Sequence, residues 1–296
     1  HLRLASADGD LHQRAGLCNA MTAQVSAITA FRLTTTDTER LARFYVELGF
    51  AVGNLERIGD DEIALLGLKG GGSRLPLHLG GQRVDLDCFD APGQPYPADA
   101  TAADLCFQHF AIVTDDAEIA WRRVKELGAA PISTSGPVLL PSSTGVAAAV
   151  KFRDPDGHPL ELLQFADASG RSWTGTHLLG IDHSAISVAD ASVSRRFYEA
   201  LGLSAQAATL NEGPTQMILD CLPEAEVDVV PMLPRQDTPH LELLGYRKPV
   251  GRASGRLEAN DIAATRIVWA ADRDQLIRDP DGHLHLLRRE SSSRSP

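Results

Sequence analysis

Residues 28–34, Ile-Thr-Ala-Phe-Arg-Leu-Thr, alternate as a strand does, and behind Asp37 the apolar spacing changes to Leu41, Phe44, Tyr45 and Leu48, one face of a helix. Asp37 is placed to cap that helix and Gly49 to end it in a left-handed turn. Extended stretches are predicted at 51–58, 62–69 and 75–89, the last turned at Gly80-Gly81. The pattern is strand, helix, three strands. After a loop rich in Pro and Ala, 90–103, it repeats: a strand at 105–114, a helix capped by Asp116 with Ala120, Val124 and Leu127 on one face, Gly128, and extended stretches near 131–133, 138–140 and 147–152.

The stretch 152–165 predicts a hairpin. Pro155 presets the first central φ of a tight turn, Asp154 and Asp156 tolerate or cap it, and Gly157 can take the left-handed conformation. In the outgoing strand Pro159, Glu161, Leu163 and Phe165 share one face. A carboxylate on so apolar a strand needs a metal, a cation or a water-filled cavity in front of it, or else a salt bridge at the rim. A near copy of this hairpin lies at 277–287. A third module opens at 180–188, with Asp190 as helix cap, and Phe197-Tyr198 echo Phe44-Tyr45. The Phe-Tyr pair recurs after 153 residues and Asp-Pro-Asp-Gly after 125, so the second half is shorter by 28. A strand at 262–269 runs almost straight into the final hairpin, so the fourth module is expected to lack its helix and a strand.

With 296 residues, 43% hydrophobic and 23% charged, the chain is ordinary globular material sized for two domains. A formal charge of -11 argues against nucleic acid and anionic membrane surfaces and leaves small molecules as partners. No apolar run approaches the roughly 20 residues that span a bilayer. Cys18, Cys88, Cys106 and Cys221 show no C-x-x-C spacing, which fits a reducing cytoplasm, and Cys88 and Cys106 are expected to be buried strand residues without chemistry. Residues 1–27 read as a poorly ordered leader in which Met21 is a candidate native start, 166–179 as a linker and 291–296 as a tail.

These helices with Phe-Tyr and Leu-Gly, the paired Asp-Pro-Asp-Gly-His hairpins, a His near the start of a module and a Glu four residues after the hairpin glycine resemble the vicinal oxygen chelate superfamily. This is the glyoxalase, bleomycin-resistance and extradiol-dioxygenase group. The resemblance implies an α+β fold of tandem βαβββ modules, with cupped mixed sheets and helices outside. It divides the chain into an N-terminal domain, 28–165, and a C-terminal domain, 180–290, whose fourth module is truncated. It also implies metal ligands on the first and last strands of each module. In module one these positions fall on Ala30, which cannot ligate, and Asp85, which can; in module two on His109 and Glu161; in module three on His183 and Glu242. In module four they fall on Ala264 or Arg266, according to register, and on Leu286.

The resemblance therefore implies a centre in the N-terminal half made of His109, Glu161 and Asp85, with Asp85 as third ligand or base and one position open. His183 and Glu242 are secondary candidates. Such a set suits one divalent Zn, Mn, Ni or Fe(II) ion. Arg32, on the face of Ala30, could pair with Asp85 or hold an anionic substrate group. The expected activity is that of a glyoxalase-like lyase or isomerase, which polarises a carbonyl and moves a proton with a carboxylate base. Two alternatives stand beside it. An extradiol dioxygenase would need His183 to recruit a second histidine such as His285, and a non-enzymatic drug-sequestering protein would need only the cavity. The truncated module leaves a sheet edge that a homodimer, the linker or the leader would cover.

Overall fold

A computed structural model of the chain describes residues 23–141, 145–169, 171, 173–236 and 239–289. Module one comprises β1 (Val25–Thr34), α1 (Thr38–Leu48), β2 (Ala51–Val52), β3 (Glu56–Arg57), α2 (Asp60–Leu65), β4 (Gly72–Leu79) and β5 (Gln82–Phe89). Module two comprises β6 (Gln108–Thr114), α3 (Ala117–Glu126), β7 (Ala130–Pro131), β8 (Val138–Leu139), β9 (Val146–Arg153) and β10 (Pro159–Phe165). In module three lie β11 (Leu178–Ser187), α4 (Ala191–Ala200), β12 (Ser204–Ala205), β13 (Thr209–Glu212), α5 (Gly213–Asp220), β14 (Glu226–Leu233) and β15 (His240–Lys248). Module four shows only three strands among the described residues: β16 (Arg266–Ala271), β17 (Gln275–Arg278) and β18 (Leu284–Arg289).

The three long helices begin where capping chemistry places them. Asp37 accepts from the backbone N–H of Arg40 at 3.0 Å, Asp116 from that of Ile119 at 2.9 Å, and Asp190 from those of Ser192 and Val193. The stretch 62–69 departs from its expected extended form, because Asp60–Leu65 is helical. Three acids in its first turn suit a helix N-terminus, and Ile63 and Leu66 bury one face. The expected leader is also too long: Ala23 is buried and β1 starts at Val25, paired with Ala271. The expectations for 1–22, Met21 and Cys18 among them, and for 291–296 lie outside the described residues.

The modules form two mixed sheets. One has eight strands and runs β17-β18-β16-β1-β5-β4-β2, with β3 also on β4; the other has ten and runs β12-β14-β15-β11-β6-β10-β9-β7, with β13 on β14 and β8 on β9. Module one thus pairs with module four, and module two with module three. Each sheet draws one module from each half of the chain, so the halves 28–165 and 180–290 do not correspond to the sheets. The first strands make the central joins, β1 against β16 and β6 against β11, both antiparallel. The segment 90–107 and the segment 249–265 carry the chain from one sheet to the other and back.

The repeated motifs meet across that division. Tyr45, on the helix against β4 and β5, donates its hydroxyl to Asp154 in the hairpin of the other sheet, while Tyr198, against β14 and β15, donates to Asp279. In each hairpin the other oxygen of the same Asp accepts two backbone N–H groups, from Asp156 and His158 in one copy and from Asp281 and His283 in the other. Gly157 and Gly282, at φ +97° and +99°, close the turns in a conformation that side chains disfavour. No helix among the described residues is long and apolar enough to cross a membrane.

Candidate metal centre

Pairing modules two and three brings His109 and Glu161 to His183 and Glu242. His109 on β6 and Glu161 on β10 lie in parallel neighbours, and His183 on β11 and Glu242 on β15 repeat the arrangement across the β6–β11 join. His109, Glu161 and His183 each offer one ligand atom, all within 4.8 Å of one another. The Nε2 of His109 is 3.1 Å from Glu161 Oε2, and the Nε2 of His183 is 3.7 Å from Glu161 Oε2 and 3.5 Å from Glu242 Oε2.

The carboxylates of the cluster draw positive charge to it. Burial alone would push His183 down, but the carboxylates of Glu242, Asp182 and Glu161 outweigh it and hold the imidazole at about 9. Burial would likewise raise Glu242, yet His183, His240 and His109 bring it to about 2. Glu161 is lowered despite burial, chiefly by Lys151 and then by His109 and His183. His109 itself is pushed down by burial, which keeps it neutral and fit to ligate. Its Nδ1 is buried without a partner among the described residues. Two buried imidazoles and an ionised carboxylate, with a second carboxylate beside His183 and one ring nitrogen unspent, fit a divalent ion with nitrogen and oxygen ligands.

Around the donors, Asp182 accepts from His183 Nδ1 at 3.0 Å and fixes the ring so that Nε2 faces the carboxylates. A bulge in β11 lets Asp182 and His183 serve one site, since their strand slips register between Ile181 and His183. His240, the Cα partner of His183, lies 3.5 Å from Glu242 and forms a second donor group with Asp182 and His183. Two apolar walls flank the centre, one with Phe107, Ala185 and Leu244, the other with Ala111, Ala149, Leu163 and Leu219. Sequence reasoning missed Asp182, His240 and Lys151. The signal for Lys151 was present, a lysine in the apolar run 147–152 directly before the hairpin.

Asp85 is not part of this centre. It lies in the other sheet, fully buried, accepting from Arg32 Nε at 3.2 Å and Arg83 Nε at 2.6 Å. Arg32 is therefore in the structural pair with Asp85, and it also bonds Glu62, rather than facing an open cavity. By strand register, Arg266 stands where His183 stands, Ala30 where His109 stands, Asp85 where Glu161 stands and Leu286 where Glu242 stands. Arg266, not Ala264, thus takes the first-strand position of module four. Its guanidinium bonds Asp87, Thr34 and backbone carbonyls, while Ala30, Val268 and Leu286 pack together. His285 is also elsewhere: it accepts from Trp269 Nε1 and bonds the Tyr198 hydroxyl, so the second histidine for His183 is His109. Cys106 is buried, though in the turn before β6 and not in a strand, whereas Cys88 is in β5 but only half-buried.

The family model of the Glyoxalase/Bleomycin resistance protein/Dioxygenase superfamily matches residues 27–162, which span modules one and two. These residues belong to that superfamily, and the rest of the chain repeats their module. Among solved structures, two variants of glyoxalase I from Zea mays share the fold. One is 19% identical over 92% of this chain and 95% of its own, with a TM-score of 0.57, and the other is 18% identical over 92% and 96%, with a TM-score of 0.55. A candidate dioxygenase from Bacillus subtilis is 12% identical over 89% and 85%, also with a TM-score of 0.55. No curated protein matches the chain.

Proposed function

We propose that the chain is a divalent-metal-dependent lyase or isomerase of the glyoxalase type, acting on a small molecule with two adjacent oxygens. The observation that carries this reading is a second carboxylate: a ring-cleaving iron centre uses two histidines and one carboxylate, and here Glu242, outside the compact His109, Glu161, His183 group, also faces His183 at 3.5 Å. His109, Glu161 and His183 would hold the ion, which when bound supplies Lewis-acid polarisation of a chelated carbonyl. Glu161 is locked against His109 and its side chain is 7% exposed; that of Glu242 is 20% exposed. Glu242 is therefore assigned as the carboxylate that takes a proton from the carbon beside the carbonyl, and Glu161 stays as ligand. Asp182 holds His183 in one tautomer, and the apolar walls keep water from the carbanionic product of that transfer.

The test is solvent exchange. Metal-loaded protein incubated in D2O with a vicinal carbonyl compound should place deuterium on the adjacent carbon, and Glu242→Gln should stop this while keeping the ion. Exchange that survives the substitution removes Glu242 from the role. A second reading, an extradiol dioxygenase, is favoured by the compactness of the His109, Glu161, His183 group. Oxygen consumption with catechols by the Fe(II)-loaded protein would select it. Protein purified without chelator that holds no ion yet binds an apolar aromatic molecule would select sequestration instead.

A further inference from the structure

We propose that Lys151 sets the substrate class of this site, its ammonium receiving the carboxylate of a small 2-oxo or 2-hydroxy acid. The proposal rests on the metal-centre reading above. Lys151 on β9 is the Cα partner of Glu161 on β10, so the two side chains share one face of the sheet. The residue is 4% exposed. Its Nζ bonds Asp220 Oδ1 on α5 at 2.6 Å, and among the described residues that is its one acceptor. An ammonium carries three N–H donors, so two are unspent in a buried place where unmet donors are costly.

Asp220 cannot take them up. Its other oxygen already accepts from Gln216 at 2.6 Å and from the Tyr246 hydroxyl at 2.8 Å. The remaining carboxylates that act on Lys151 are Glu161 and Glu242, one assigned to the ion and the other to the proton transfer beside it. A divalent ion offsets those two glutamates and Lys151 offsets Asp220, while Asp182 stays bonded to His183. An incoming carboxylate has two oxygens, which match the two free donors. Ala111, Ala149, Leu163 and Leu219 close the same side with aliphatic surface, which favours a short acid over a long one.

Glycolate and glycolamide test this, since they present the same pair of oxygens with and without the negative charge. The Co(II)-loaded protein reports the ion by its visible spectrum and either molecule by calorimetry. The expected result is glycolate at least tenfold tighter than glycolamide, with the ratio near one in Lys151→Met/Asp220→Asn, whose Co(II) spectrum is retained. Equal binding in the unsubstituted protein, or a preference that survives the double substitution, overturns the proposal. Lys151→Arg, which keeps the charge, should keep the preference and guards against a double variant that fails to fold. If Co(II) does not bind at all, the metal reading fails by itself. Glycolate titrated into the metal-free protein then decides Lys151 alone: binding lost in the double variant supports the role, and binding retained or never seen overturns it.

Discussion

The hydroxyl of Tyr45 donates to Asp154 at 3.0 Å, and Tyr198 repeats the bond to Asp279 at 2.9 Å. The Phe-Tyr helix and the Asp-Pro-Asp-Gly hairpin recur together because they are two ends of one bond that joins the sheets. Tyr45→Phe should lower stability by about 1–2 kcal/mol, the usual effect of leaving a buried partner short of one donor. Tyr198→Phe should cost more, because that hydroxyl also bonds His285. Urea unfolding of the single and double variants checks both, and the two losses should add if the latches act independently.

Ion content separates the two sheets. His109→Ala, Glu161→Ala and His183→Ala should each abolish stoichiometric metal, measured by elemental analysis of folded protein. Asp85→Asn should keep it, although loss of a buried charge from an ion network costs on the order of 3–5 kcal/mol. A metal-free Asp85→Asn protein that remains folded would restore Asp85 to the centre.

On the proposed reading, Asp182 would act on the ion through His183. By its hydrogen bond at 3.0 Å it should be worth roughly 10–100-fold in metal affinity, seen by competition with a chromogenic chelator after Asp182→Asn. Complete loss of the ion would instead make Asp182 a ligand, in the company of His240.

Acid should weaken the sheet without the metal centre as well as the one that carries it. Burial would raise Glu62 and Asp87, but their bonds to Arg74, with Arg32 and Arg266 beside them, hold both lowered in the folded state. A carboxylate lowered on folding contributes stability above its ordinary range, about 4, and that stability is lost as pH falls through the lower folded value. Urea midpoints should therefore drop steeply below about pH 4, and less steeply in Glu62→Gln.

Much of this was legible in the chain because it is local. Capping at Asp37, Asp116 and Asp190, the two hairpins and the short fourth module follow from turn chemistry and spacing. His109, Glu161, His183 and Glu242 were each at a position the resemblance named. Their assembly was not legible, because which first strands pair is a long-range outcome: His109 meets Ala185, 76 residues on, while Ala30 meets Val268. Assigning modules one and two to one cup placed Asp85 beside His109 and left His183 and Glu242 in second rank. The helix Asp60–Leu65 was missed because six residues show too little periodicity to distinguish helix from strand.

Arg266 has one more consequence. At the position of His183 the duplicate sheet carries a cation tied to its own backbone, held by Asp87 and by carbonyl oxygens. On the proposed reading, a chelator would act on one sheet and find nothing to remove from the other. Metal starvation should thus leave that sheet indifferent, because its cation is a side chain that no chelator can withdraw.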